Sequence, residues 1–178
     1  CIRDSLSNTP FREFKHWVHE GGIATPLIIR YPGGVDTPER IAHATGQLPD
    51  IATTILSECG LDPQEALSAP GHPRAEGHDL RKLAADPEVA AERFLFWEHE
   101  GNAAVRQGRW KAVRKFEQPW ELYDMERDRS EVVDLAIEHP ELLSALVARY
   151  EEWADAHSVV DYRAHVDQWG EPDSQWLE

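Results

Sequence analysis

Between residues 8 and 26 the chain reads NTPFREFKHWVHEGGIATP, which sets one lysine, Lys15, shortly ahead of a glycine pair, Gly21 and Gly22, and of an apolar run. An ammonium group in a segment that glycines allow to turn tightly suits an anion pocket. A single lysine without such context is a solvated surface charge. In the same stretch His16, His19 and Glu20 form an HxxHE pattern, which on a helix would bring two ligands to one face. No third ligand stands beside them and the adjacent glycines oppose a long helix. These three are therefore read as pocket walls or partly buried structural residues, and no metal site is expected. Glu98, His99 and Glu100 lie where a strand gives way to a loop, a position from which His99 can reach a substrate, with a solvated turn histidine as the equal alternative. Arg106 and Arg109, and then Lys111, Arg114 and Lys115, alternate along strands and are read as a solvated sheet face. The sequence has neither a glycine-rich phosphate loop nor a GxSxG nucleophile motif.

The elements that must position these groups follow from hydrophobic spacing. Residues 23–31, IATPLIIRY, lie between glycines and Pro32-Gly33-Gly34, the pattern of a buried strand, with Pro26 placing it at an edge or a strand start. Over 49–59 the apolar residues recur at helical spacing behind Pro49 and Asp50 and ahead of Gly60, which predicts an amphipathic helix. Residues 61–87 carry four prolines among glycines and charges and read as a long connection. Aromatic and β-branched runs at 93–98, 103–106, 110–114 and 120–124 predict three or four antiparallel strands, with Gly108 supplying a hairpin turn. Leu142, Leu143, Leu146, Val147, Tyr150 and Trp153 then share one face of a helix over 140–154, the natural cover for a small sheet. The tail at 158–178 is polar, with Trp169 and Trp176 standing alone.

Pro10, Phe11, Arg12, Lys15, Glu20, Gly21, Gly22, Pro26, Leu27 and Ile28 together resemble a signature of the sulfatase (arylsulfatase) family of the alkaline phosphatase superfamily. FWEHEGNAAVRQGRWKAVR and WELYDMERDRSEVVDLA resemble the first hairpin and next strand of that family's small C-terminal subdomain, and Glu76-Gly77-His78-Asp79-Leu80 its Asp-Gly-x-Ser/Asp-Leu pattern. The resemblance covers roughly residues 8–157. It implies an α/β parent fold, α+β in this portion: a remnant of a large mixed sheet with a helix over 1–62, a connection over 63–92, a small antiparallel sheet packed by a C-terminal helix over 93–157, and the tail. It also implies a role. Lys15 would contact a sulfate oxygen as the catalytic and substrate-binding residue, and the parent would hydrolyse sulfate esters of small molecules or saccharides; His99, from its place at the strand end, stands as a second substrate-binding candidate. Calcium and a formylglycine nucleophile are that family's cofactors. Neither Cys1 nor Cys59 stands in a Cys/Ser-x-Pro-x-Arg motif, and no Asp-Asp or Asp-Asn pair occurs, so both are expected in an N-terminal part of the same enzyme and neither in this chain.

The bounds set by composition agree with that expectation. The chain starts Cys1-Ile2-Arg3, with the features of neither a translation start nor a signal peptide, and reads as the C-terminal part of a longer enzyme that is inactive alone. At 178 residues with 41% hydrophobic content it can bury a core. A net charge of -15 disfavours nucleic acid and anionic membrane as partners, and no apolar run reaches membrane-spanning length. Arg12 and Lys15 supply the local positive charge that an anion would need against this field. A periplasmic or secreted location follows from the resemblance alone. Two other functions fit the same residues: a phosphodiesterase or phosphonate hydrolase of the same superfamily, and a non-catalytic module binding sugar or protein through the small sheet.

Overall fold

A computed structural model of the chain describes residues 6–31, 41–67 and 76–170. Its centre is a four-stranded antiparallel meander, β1 (Phe94–His99), β2 (Asn102–Gln107), β3 (Trp110–Arg114) and β4 (Glu121–Asp124), in sheet order β1-β2-β3-β4. The β1–β2 register ends on the pair His99 and Asn102, so Glu100 and Gly101 form a two-residue turn with φ of 51° and 77°. Two positive φ values match the sheet's twist and suit glycine far better than glutamate. Gly108, with φ of 55°, turns β2 into β3 as the sequence predicts.

Side chains alternate across a strand, and here both sets are buried. Ala103, Val105, Ala112 and Leu122 face Leu146 and Tyr150 of the helix α6 (Pro140–Ala156). Trp153 of α6 stacks on Phe96 at 5.0 Å between centroids. The predicted sheet with its covering helix is therefore observed. On the opposite face Ala104, Val113, Tyr123 and Met125 pack with Val18, Trp97 and Ile23, so the segment before Pro26 covers the sheet's second side. Small residues on β2 let both covers approach closely.

The chain divides into two compact units, Cys1–Pro26 with Phe94–Glu178, and Leu27–Arg93. In the second unit α2 (Leu48–Glu58) starts at a capping box between Gln47 and Asp50 and is followed by Gly60 at φ 74°, close to the predicted helix. Asp50, fully buried, accepts from both ends of the Arg93 guanidinium at 2.9 and 3.0 Å and from the His78 amide at 2.8 Å. Gly77 is needed here because a Cβ would lie 2.2 Å from the Pro49 carbonyl oxygen. The stretch expected as a connection over 63–92 contains three short helices, α3 (Pro63–Leu67), α4 (Leu80–Ala85) and α5 (Pro87–Glu92). Asp79 caps α4 by accepting from the Arg81 amide at 2.9 Å.

Two expectations differ from the structure. Residues 24–31 form no strand, and Leu27, Ile28 and Ile29 are exposed at 54%, 92% and 42%. A strand needs partners for its backbone groups, and the small meander offers this segment none. The tail, read only as polar, contains α7 (Tyr162–Trp169), capped by Asp161 and anchored by Val166 and by Tyr162 against Phe116. Trp176 lies outside the described residues.

Candidate functional site

Residues 11–23 fold back on themselves over the second face of the sheet, ending in the single turn α1 (Glu20–Ile23). The Gly21 amide donates to the Arg12 carbonyl at 2.9 Å, closing the loop. A Cβ on Gly21 would lie 2.2 Å from the Glu13 carbonyl oxygen, and one on Gly22 1.8 Å from that of Trp17. The glycine pair is thus required by close backbone approach. Phe14 and Val18 plug the loop into the core at 7% and 3% exposure.

Most of the loop's charged groups are consumed in fixing it. Arg12 Nη1 donates to Glu121 at 3.1 Å, to the Tyr123 hydroxyl at 2.9 Å and to the Glu131 carbonyl at 3.3 Å. His19, fully buried, meets the same Glu121 oxygen through Nε2 at 3.1 Å. The Glu20 amide donates to Glu131 Oε2 at 2.7 Å, while the Glu20 carboxylate accepts from Lys111 at 3.4 Å and Arg129 at 3.0 Å. Lys111 also bonds Glu131 at 2.7 Å, and both are fully buried. Burial opposes ionisation of Glu20, but Lys111 and Arg129 outweigh it and hold the carboxyl below its ordinary range.

This arrangement corrects two readings. Lys111 belongs to a buried ionic cluster and not to a solvated sheet face, because Glu20 and Glu131 arrive from far along the chain to neutralise it. Arg12 adds no unbalanced positive charge for an anion, since Glu121 and Glu13 pair with it.

Lys15 is exposed, and its chain neighbour His16 is partly buried. The HxxHE pattern is split: His19 and Glu20 turn into the sheet, whereas His16 faces the β1–β2 turn. His16 Nδ1 lies 3.2 Å from Glu100 Oε2, and its ring is 5.6 Å from that of His99 at 76°. His99, exposed at the end of β1, is therefore brought into ring contact with the neighbour of Lys15. Desolvation lowers the pKa of His16, with His99 adding to the shift and Glu100 opposing it. Asn102, at 2% exposure, ties the two segments together by donating to the His99 carbonyl at 2.9 Å and the His16 carbonyl at 3.4 Å. Glu100 stands with His99 among the residues that the sequence places at this strand end, whereas Asn102 is not singled out there, although a polar residue following a glycine between two strands is a signal for a turn that carries function. Among the described residues, His16, His99 and Glu100 are the group whose ligand atoms all lie within 4.8 Å of one another.

The profile of the family described as N-sulphoglucosamine sulphohydrolase, C-terminal, matches residues 13–155. An uncharacterized sulfatase of Schizosaccharomyces pombe is 32% identical over 155 residues, covering 79% of this chain and 26% of its own. The N-acetylgalactosamine-6-sulfatase of Canis lupus familiaris is 30% identical over 106 residues, 60% of this chain and 19% of its own. The crystal structure of Ps i-CgsB aligns with 71% of this chain and 25% of its own at a TM-score of 0.48 and 22% identity. The chain thus spans about a quarter or less of the curated relatives it matches.

Proposed function

This chain belongs to the sulfatase family, matching its N-sulphoglucosamine sulphohydrolase C-terminal region, and we propose that it supplies one wall of a sulfate-ester hydrolase site, with Lys15 as the group that meets the sulfate. The observation that carries this reading is the loop's division of labour. Arg12, His19 and Glu20 turn inward onto Glu121, Glu131 and Lys111, while Lys15 lies exposed on the same loop, next in sequence to His16, whose ring meets that of His99. A cation held on a closed, glycine-locked loop loses little on meeting an anion, and it offsets charge on the transferring sulfuryl oxygens without reorganising. His99, in contact with His16, faces the same substrate. Relatives named as N-acetylgalactosamine-6-sulfatases favour a sulfated saccharide as the substrate class.

The family's calcium and formylglycine do not fit the residues present. Calcium takes oxygen ligands, whereas the metal-competent group among the described residues offers two imidazoles. Cys59 is followed by Gly60-Leu61-Asp62, outside the motif that becomes formylglycine. On this reading both belong to other parts of the enzyme, and this chain alone does not turn over substrate.

The test is Lys15→Ala in the full-length enzyme acting on a 6-sulfated N-acetylgalactosamine substrate. Turnover is expected to fall about 10²–10³-fold, the usual scale for losing one prepositioned electrostatic group, with an unchanged melting temperature, and His16→Ala is expected to cost far less. Normal turnover in the Lys15 variant, or equal losses in both, rejects the assignment.

A further inference from the structure

From the juxtaposition of His16, His99 and Glu100 we infer a surface site for a zinc-like divalent transition metal, distinct from the calcium expected of the family and independent of the role proposed for Lys15. The donor set is two imidazoles and one carboxylate, which suits zinc and its neighbours and does not suit calcium or magnesium. Metal–ligand bonds of about 2.0–2.2 Å in a tetrahedron separate ligand atoms by roughly 3.3 Å. His16 Nδ1 and Glu100 Oε2 already stand 3.2 Å apart. His99 is exposed, and its ligand nitrogen lies within 4.8 Å of the other two ligand atoms. Three protein ligands leave a fourth position open to water or to an oxygen of a bound ligand. Any contact of His99 with substrate would then run through the ion.

Two features fix the geometry of the three groups. Asn102, buried in the turn, donates to the main-chain carbonyls of both histidine residues and accepts from the Phe116 amide at 3.1 Å, which fixes the spacing of the two segments. Glu100 takes φ of 51°, a conformation in which glycine or asparagine is at ease and glutamate is strained. The same turn brings its carboxylate to His16.

The experiment uses the whole chain, stripped with a chelator and titrated with Zn²⁺ in competition with a chromophoric indicator, and separately with Co²⁺ followed by visible absorption. Wild type should take up one equivalent of zinc, show the intense bands of low-coordinate cobalt, and ignore calcium. His99→Ala and His16→Ala should each weaken zinc binding by at least about 100-fold, beyond the loss usual for an outer-shell partner, and Glu100→Gln by about 10–100-fold or more. His165→Ala, an exposed histidine on α7, should bind as wild type does. Uptake of no zinc by wild type overturns the site, as does His99→Ala with wild-type affinity. Because His99 is exposed, its replacement leaves the fold intact, and an unchanged melting temperature of the metal-free variant checks this. If His16 and Glu100 merely form a hydrogen-bonded pair, His99→Ala changes nothing and the inference fails. The readout is metal affinity of the chain itself, so its outcome is separate from that of the Lys15 test.

Discussion

Glu121 accepts from three partners of different kinds: the His19 ring, the Tyr123 hydroxyl at 2.8 Å and the Arg12 guanidinium. Burial alone would raise its pKa, but the hydrogen bonds of His19 and Tyr123 and the charge of Arg12 outweigh this and bring it to about 2, from an ordinary 4.5. Tyr123 moves the other way, pushed up by burial and by the bond to Glu121. A depressed carboxyl stabilises the fold above its unfolded pKa, so this contribution is full above about pH 4.5 and is lost as pH falls toward 2. Glu121→Gln should therefore cost about 1–3 kcal/mol at pH 7 and flatten the dependence of stability between pH 4.5 and 2, read from denaturant midpoints. An unaltered acid profile would show that another carboxyl carries the effect. At this scale the need for the glycine pair is legible, because spacing along one short segment is visible. The sequence misplaces Lys111 for the opposite reason: alternation along β3 says which face a side chain takes but not that Glu20, 91 positions away, covers that face.

Helix α6 was legible because its apolar stripe has a period that only a helix satisfies, and the stripe is what the sheet buries. Leu146 sits at 2% exposure in that contact. Leu146→Ala should destabilise by about 2–5 kcal/mol in chemical denaturation, and a change below about 0.5 kcal/mol would place the residue at the surface. The strands and the Gly108 turn were legible for similar local reasons. The apolar run at 24–31 shows where this fails, since Leu27, Ile28 and Ile29 look like a buried strand in sequence but find no strand to pair with and stay exposed. Helix α7 is not legible because, among its described side chains, Val166 is the one buried apolar residue and a capping Asp161 carries no periodic signal. The second cover of the sheet is not legible because residues 11–23 pack by loop closure, a geometry without a repeat.

At the level of the molecule, the unit that contains the sheet is drawn from two stretches of sequence, Cys1–Pro26 and Phe94–Glu178, with Leu27–Arg93 between them. This has a consequence for the order of folding. The bond from Lys111 to Glu131 closes 20 positions, whereas that from Lys111 to Glu20 closes 91. The longer closure costs roughly 1.3 kcal/mol more chain entropy, and topology of this kind delays the distant contact. The meander, α6 and the Lys111–Glu131 pair should form first, as a platform with one face bare, and the loop bearing Lys15 should dock last. Native-state hydrogen exchange tests this: the Gly21 amide, held by the Arg12 carbonyl, should open at lower free energy than the amide of Val105 in the middle of β2. Equal protection would mean that the two open as one. In the expected case, the loop that carries Lys15 is the last part of the unit to arrive and the first to leave, so in the full-length enzyme denaturant should abolish the activity proposed for it before it melts the sheet.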